Sequence, residues 1–263
     1  MKLRISILSF GIRRLLLLAC GFALLASALP AQEKNLIVDL GGGAKMEFVL
    51  IPAGSFLMGS NEGRPEERPT HKVKITKPFY MGKYEVTQEQ WQVLMGEDSS
   101  TFERPKNPVS ISWDDCINFL SKLQAKVSGM KASLPTEAQW EYACRAGGKG
   151  KYHYGNDEAE LGFYAWFYAN SEDTMHPAGE KKPNAWGLYD MYGNLWEWCA
   201  DWYGESYYNY SPKQDPKGPD LGEFRVMRGG SFGNKADVCR SATRAFHYPT
   251  QRICGFRAVL EIQ

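Results

Sequence analysis

NAWGLYDMYGNLWEWCADWY, at residues 184–203, is the stretch on which the fold depends. Seven of its twenty residues are aromatic, and the carboxylates Asp190, Glu197 and Asp201 lie among them. Aromatic residues at this density are expected to be buried, and a buried carboxylate needs a partner because an isolated charge in a dry site is costly. Two kinds of partner fit the pattern: a cation such as Ca²⁺, which prefers hard oxygen donors, or arginine side chains and backbone N–H groups.

The first 31 residues have the pattern of a cleavable export signal. Four basic residues precede or begin an apolar run over residues 15–26, and small residues follow that run up to Ala31. Cys20 matches a lipid-attachment signal poorly, because Leu18 does not fit that pattern, so a lipid anchor at Cys20 is not expected. We therefore predict an exported chain, periplasmic or secreted, with a signal peptide at residues 1–31 and a single domain at residues 32–263.

Composition argues against two classes of partner. Residues 32–263 carry 27 basic and 30 acidic residues, a formal net charge of −3, so nothing directs this domain to nucleic acid. No apolar run after residue 31 reaches the roughly 18 residues of a membrane-spanning helix, so no membrane span is expected.

Local patterns predict a mixture of short helices and strands. Thr87, Ser112 and Thr136 each precede helical spacing of apolar residues, and the third helix is expected at residues 137–145. Short apolar or alternating runs predict strands at residues 45–60, 71–75, 79–86, 225–228 and 256–260. Most of the remaining chain lacks periodicity. The sequence therefore predicts an α+β domain that is rich in loops and has few regular elements.

Seven segments, in this order, match one protein family. They are IPAGSFLMGS (51–60), ERPTHKVKITKPFYMGKYEVTQEQW (67–91), NPVSISWDDC (107–116), LPTEAQWEYACRAG (134–147), NAWGLYDMYGNLWEW (184–198), RVMRGGSF (225–232) and GFRAVL (255–260). Together they resemble the formylglycine-generating enzyme family, also called the sulfatase-modifying factor family. The resemblance implies a loop-rich fold related to C-type lectins, bound Ca²⁺, and oxidation of a sulfatase cysteine to formylglycine with O₂.

The resemblance fails at the copper site. The resemblance implies a copper enzyme whose Cu(I) is held by two cysteines after the GGS motif. Soft thiolates are suitable ligands for that ion. Here Asn234 stands where the first cysteine is expected, and Cys239 falls at or near the second. A single thiolate cannot reproduce a site of two thiolates. The chain is therefore expected to be a divergent member that lacks the paired copper cysteines and does not use copper.

Other family positions are retained. The resemblance assigns a calcium site to Asp190 and Glu197 through their side chains and to Gly193 and Leu195 through their carbonyl oxygens. A second calcium site, beginning at Asn170 and Ser171, lacks clear counterparts for its later ligands and stays open. The resemblance also implies a pocket, for which the candidate residues are Trp140, Trp196, Ser231 and Cys239.

Residues 32–263 contain five cysteines, an odd number that leaves at least one thiol outside any intramolecular disulfide. Cys199 and Cys239 flank aromatic core segments and are the first candidates for a disulfide. The resemblance suggests Cys144 and Cys239 as the alternative pair.

Two short glycine-rich motifs have competing interpretations. Residues 229–233 also fit the G-x-S-x-G pattern of serine hydrolases, although no series of parallel strands and helices precedes them. The GGKGK sequence at residues 147–151 is followed by no Ser or Thr and is not a phosphate loop.

Two functions remain open. The first is an exported oxidoreductase of the formylglycine-generating type, acting with O₂ on a cysteine or a related group of a protein or peptide, without the usual copper–dithiol site. The second is a non-catalytic, calcium-stabilised, lectin-like module that binds a protein, peptide or glycan.

Overall fold

A computed structural model describes residues 33–96 and 104–263. The predicted signal peptide and Cys20 lie outside the described residues. Within them the chain forms three α-helices, ten β-strands and three short 3₁₀ helices. The 3₁₀ helices are Pro65–Glu67, Glu158–Phe163 and Tyr207–Asn209. The loop-rich α+β fold class is therefore confirmed.

The α-helices begin where their N-terminal signatures predict. Each follows a hydroxyl side chain that accepts the backbone N–H of the third helical residue, while that residue's side chain accepts the N–H of the cap. In the third helix Gln139 donates its backbone N–H to Thr136 Oγ1 (3.1 Å) and accepts the Thr136 N–H at Oε1 (2.9 Å). These reciprocal bonds satisfy N–H groups that a helix start leaves open. The helices are α1 (Gln88–Met95), α2 (Trp113–Gln124) and α3 (Glu137–Arg145).

The strands form three antiparallel sheets. The first sheet has the order β1-β2-β5-β10-β6, the second pairs β3 with β4, and the third has the order β7-β8-β9. The strands are β1 (Asn35–Gly41), β2 (Ala44–Ile51), β3 (Gly54–Met58), β4 (His71–Ile75), β5 (Phe79–Gly82), β6 (Met130–Ser133), β7 (Glu197–Trp202), β8 (Arg225–Arg228), β9 (Ala245–His247) and β10 (Val259–Ile262).

The five-stranded sheet is buried on both faces at its centre. Alternate residues of a strand point to opposite faces, and on β10 Val259 packs into one apolar cluster while Leu260 packs into the other. We call the first cluster the α3 core, because it includes Trp140 of α3. The second is the α2 core, because it includes Phe119 and Leu123 of α2.

Only some of the strands were predicted from the sequence. Residues 45–60 contain most of β2 and all of β3, and these two strands belong to different sheets. Strands β1, β6, β7 and β9 were not predicted. No helix of the described residues is both long and apolar enough to cross a membrane.

Buried ion pairs connect α3 to the second half of the chain. Glu141 pairs with Arg145 on its own helix (2.7 Å) and with Arg228 of β8. One turn earlier, Glu137 pairs with Arg244 (2.7 Å). All five side chains are buried. Because each charge is enclosed, the stability of the fold depends on every partner being present.

We expect Glu141→Gln to destabilise the protein by about 3–5 kcal/mol, because it leaves Arg145 and Arg228 without their shared counter-charge. Urea unfolding of both proteins measures the difference. The matched control is Glu47→Gln, which breaks an exposed pair with Lys83 (2.9 Å) and should cost less than about 1 kcal/mol. Equal stability of Glu141→Gln and the unaltered protein would contradict this account.

Candidate functional site

The aromatic stretch is bent into a turn that only glycine permits at its tightest point. Gly193 has a φ of +72°, and a Cβ atom there would overlap the carbonyl oxygen of Trp166. That oxygen accepts the Asn194 N–H at 2.7 Å. Asp190 and Asn194 also have positive φ angles, 55° and 51°. This backbone directs the side chain of Asp190 into the interior, where it is 2% exposed.

Arginine is the partner of Glu197. Arg257 donates to both carboxylate oxygens, at 2.5 Å through Nη2 and at 2.7 Å through Nε. Trp140 adds a third hydrogen bond from its indole N–H, at 2.8 Å. Burial of these groups is complete or nearly so. Glu197 is therefore neutralised by the protein itself, while lone pairs on its oxygens remain for a further contact.

Asp190 has no such partner. Its Oδ2 accepts the backbone N–H of Gly179 at 2.7 Å, but its Oδ1 is buried without a hydrogen-bond partner. Burial raises the pKa of Asp190 to about 6, although the Gly179 N–H and the charge of Arg257 act in the opposite direction. A buried oxygen without a donor is the feature that a bound cation would satisfy.

A third carboxylate, which the sequence did not single out, lies in the same place. Glu85 is fully buried, and it accepts hydrogen bonds from Asn194 Nδ2 (2.8 Å) and from the Leu195 N–H (3.2 Å). Burial and the charges of Asp190 and Glu197 raise its pKa well above the usual value. The signal that could have revealed it is a single acid between the apolar side chains of a predicted strand.

Three carboxylates thus share one guanidinium, that of Arg257. We call Glu85, Asp190, Glu197 and Arg257 the carboxylate cluster. It has an excess of negative charge and one orphaned oxygen, which fit a hard divalent cation. Among the described residues, however, no three Asp, Glu, His or Cys side chains are already arranged as a metal site. A cation here would also need carbonyl oxygens, as the expected ligands Gly193 and Leu195 would supply.

Asn170 and Ser171, at which a second calcium site could begin, make hydrogen bonds within the protein. Asn170 Oδ1 accepts the Phe167 N–H at 2.8 Å and thereby closes a local turn. The carbonyl oxygen of Ser171 lies 2.8 Å from His176 Nε2. The side chain of Ser171 bonds to the carbonyl oxygen of Phe232 (2.9 Å).

Three of the four candidate pocket residues meet at the GGS turn, residues 229–231. Trp140 lies under Gly229, 3.3 Å from where a Cβ atom would stand. Cys239 lies under Gly230, with its sulfur 2.6 Å from the corresponding position. Ser231 follows at the half-buried end of the turn. The fourth residue, Trp196, packs against the α2 core instead.

Asn234 closes the GGS turn. Its Oδ1 lies 3.0 Å from the backbone N–H of Ser231 and 2.9 Å from the Ser231 hydroxyl. Cys239 is fully buried, and burial raises the pKa of its thiol to about 12. The thiolate, which is the form that binds metals and attacks electrophiles, is therefore scarce at neutral pH.

The geometry of a serine hydrolase is not formed. The hydroxyl of Ser231 is bonded to Asn234, while His247 Nδ1 accepts the backbone N–H of Tyr248 at 2.9 Å. The residues after β8 continue as turns rather than as the helix that a nucleophile elbow requires.

Neither expected disulfide is formed. The five cysteines of the described residues are buried free thiols. The sulfur of Cys144 faces the carbonyl oxygen of Met191 at 3.8 Å, and that of Cys239 faces Gly230. Cys199 lies on β7, with its sulfur fully buried in the α3 core. Each sulfur is thus used for packing.

Comparison with known proteins identifies the family. A family model described as the sulfatase-modifying factor enzyme 1-like domain matches residues 41–262. The chain belongs to the sulfatase-modifying factor family. The resemblance read from the seven sequence segments is thereby confirmed.

Curated relatives of this sulfatase-modifying factor domain carry different names. The formylglycine-generating enzyme of Streptomyces coelicolor is 36% identical over 175 residues, which are 60% of this chain and 54% of that protein. Serine/threonine-protein kinase pkn1 of Chlamydia pneumoniae is 32% identical over 247 residues, 82% of this chain and 38% of that protein. The chain thus spans about half or less of these two relatives.

Solved structures of similar proteins confirm the fold. Treponema denticola variable protein 1 superposes with a TM-score of 0.80 at 30% identity, covering 88% of this chain and 100% of that one. PvdO from Pseudomonas aeruginosa superposes with a TM-score of 0.75 at 28% identity, with the same coverage of both chains.

We expect all five thiols of residues 33–263 to resist Ellman's reagent in the native protein at pH 8, because burial raises the pKa of thiols such as Cys144 and Cys239 to about 11 and 12. In concentrated guanidinium, without reductant, all five should react. Only three reactive thiols in the denatured protein would instead reveal a disulfide.

Proposed function

We propose that this chain is a non-catalytic, calcium-stabilised binding module built on the sulfatase-modifying factor fold, with a protein, peptide or glycan as its ligand. The observation that carries the proposal is the state of Cys239. Its thiol is fully enclosed under Gly230, its pKa is raised to about 12, and Asn234 occupies the turn where a second thiol would be needed. These features remove the donors that copper–dithiol chemistry requires.

Calcium is proposed for the carboxylate cluster. Asp190 would bind through its orphaned Oδ1, and Glu197 through a lone pair not used by Arg257 or Trp140. The carbonyl oxygens of Gly193 and Leu195 would complete the protein's share of the ligands. A bound divalent cation would offset the excess of buried negative charge, so its contribution here would be to stability.

The proposed setting is the periplasm or the exterior of the cell. The support for it is the export-signal pattern of residues 1–31. Ca²⁺ sites of low affinity are practical in such compartments, since extracellular modules bind this ion at about 10⁻⁴–10⁻³ M.

We expect Ca²⁺ to raise the melting temperature of the protein after it has been stripped with a chelator. Ca²⁺ at about one hundred times its Kd would add about 2.7 kcal/mol to stability. Asp190→Ala should lose this response, whereas Asp237→Asn, which alters an exposed carboxylate outside the cluster, should keep it. An unchanged response of Asp190→Ala would exclude Asp190 as a ligand.

The competing function is an O₂-dependent oxidoreductase, and the identity to formylglycine-generating enzymes is the observation that favours it. The test incubates the protein with Cu(I), O₂ and a peptide bearing a sulfatase-type Cys-x-Pro-x-Arg motif, followed by mass spectrometry. We expect the peptide cysteine to stay unmodified, while the Streptomyces coelicolor enzyme converts it under the same conditions. Formation of formylglycine, lost in Cys239→Ser, would overturn the binding-module proposal.

A further inference from the structure

A cavity of about 680 Å³ opens on the side of α3 where the helix ends. Its lining comes from β3 and the loop after it, from the C-terminal part of α3, and from the GGKGK turn at residues 147–151. A volume of this size is typical of small-molecule sites. None of the four candidate pocket residues and none of the carboxylate cluster lines it. Its ligand is therefore a separate question from the calcium site and from Cys239.

One wall of the cavity is aromatic. Phe56, Tyr142 and Trp186 follow one another there, with ring centroids 5.2 Å apart for the first pair and 4.9 Å apart for the second. Tyr142 is buried, while Phe56 and Trp186 are half-buried and so present apolar surface to the cavity. Stacked or edge-on contact with such rings favours a planar aromatic partner.

The rim of the cavity is positively charged. Two arginines that line it are already neutralised, Arg145 by Glu141 (2.7 Å) and Arg240 by Glu67 (2.6 Å). Three lysines also line the cavity, and they have no such counter-charge among the described residues.

Those three lysines are Lys72, Lys149 and Lys151, and all are exposed. Within the described part of the chain, no carboxylate lies within ion-pair distance of any of them. Glu62 is the acidic residue among those that line the cavity. A surplus of cations at the rim of a domain whose formal charge is −3 attracts anions to this cavity in particular.

Close packing and a hydrogen bond hold the backbone of the GGKGK turn, which carries two of these lysines. A Cβ atom on Gly148 would overlap the carbonyl oxygen of His153, and one on Gly150 would overlap that of Gly155. The glycines therefore let two stretches of backbone pack against each other. In addition, Asn156 Oδ1 accepts the Lys151 N–H at 2.8 Å. Because the backbone under Lys149 and Lys151 is already ordered, only their side chains lose conformational freedom when an anion binds.

We propose that this cavity binds an aromatic anion: a planar ring that carries a phosphate, sulfate or carboxylate group. The ring packs against Phe56, Tyr142 and Trp186, and the anionic group lies among the lysines. The proposal is independent of the proposed function, because neither Asp190 nor Cys239 contributes to the cavity.

Isothermal titration calorimetry of the full chain with phenyl phosphate tests the proposal. Saturable binding at one site is expected, at least tenfold tighter than for inorganic phosphate, which lacks the ring, and for phenyl β-glucoside, which lacks the charge. Absence of saturable binding, or equal affinity for inorganic phosphate, would overturn it.

Variants locate the site. Lys149→Gln/Lys151→Gln changes only exposed side chains and should weaken phenyl phosphate binding about fivefold at low salt, in line with the strength of exposed charge contacts. The matched control is Lys131→Gln/Lys213→Gln, which removes two exposed lysines outside the cavity and should bind normally. Trp186→Ala, checked for folding by circular dichroism, should weaken binding about tenfold. Full affinity in the Lys149/Lys151 variant would exclude this cavity.

The same experiment distinguishes the source of the anion. A capped tripeptide with a central phosphotyrosine presents the same group on a polypeptide. Tighter binding of the tripeptide than of phenyl phosphate assigns the cavity to a modified protein side chain. Tighter binding of phenyl phosphate assigns it to a free small molecule.

Discussion

The rest of the structure depends on the contact between Arg257 and Glu197. Arg257 is fully buried and donates to both oxygens of Glu197, to the carbonyl oxygen of Gly82 at 3.0 Å and to that of Tyr189 at 3.0 Å. One side chain near the end of the chain thereby connects β5, the aromatic stretch and β7, across as many as 175 positions of sequence. Much of this domain is irregular backbone, so hydrogen bonds between strands hold only a part of it in place. Buried hydrogen bonds between charged groups, such as those of Arg257, connect the remaining segments.

The same contact identifies the partner of one carboxylate of the aromatic stretch. Arginine is the answer for Glu197, because a bidentate pair with a third hydrogen bond from Trp140 satisfies that carboxylate. Arginine is not enough for the cluster as a whole, because Glu85 and Asp190 add two more carboxylates to one guanidinium. Burial is the main cause that raises the pKa of both Glu85 and Asp190, and repulsion between the carboxylates acts in the same direction. The divalent cation proposed for this cluster would offset that repulsion while leaving the carboxylates ionised.

The helix starts could be predicted from local sequence, whereas several strands and the contacts between distant residues could not. The three helices were predictable because their capping side chains, such as Thr136 and Gln139, lie within one turn of each other. β7 was not predicted because its residues are buried or half-buried on both faces, so Glu197–Trp202 shows no alternation of polar and apolar side chains. Glu85 and Arg257 belong to the site only through the tertiary fold, since 109 and 60 positions separate them from their partners Asn194 and Glu197. The expected disulfides failed for a similar reason, because the number of cysteines says nothing about where each sulfur points.

The fold around the GGS turn does not require a second thiol beside Cys239. Cys239 contributes to the α3 core as a small apolar side chain, and its contact with Gly230 needs a sulfur of that size but no thiolate. Asn234 has a structural role of its own. Its Oδ1 is hydrogen-bonded to both the backbone N–H and the hydroxyl of Ser231. A cysteine sulfur is a weaker acceptor and would form these bonds less well. The hydrogen bonds of the carboxylate cluster use neither Asn234 nor Cys239. The chain therefore has the fold of its family with a GGS turn that is closed by Asn234 rather than by a second thiol.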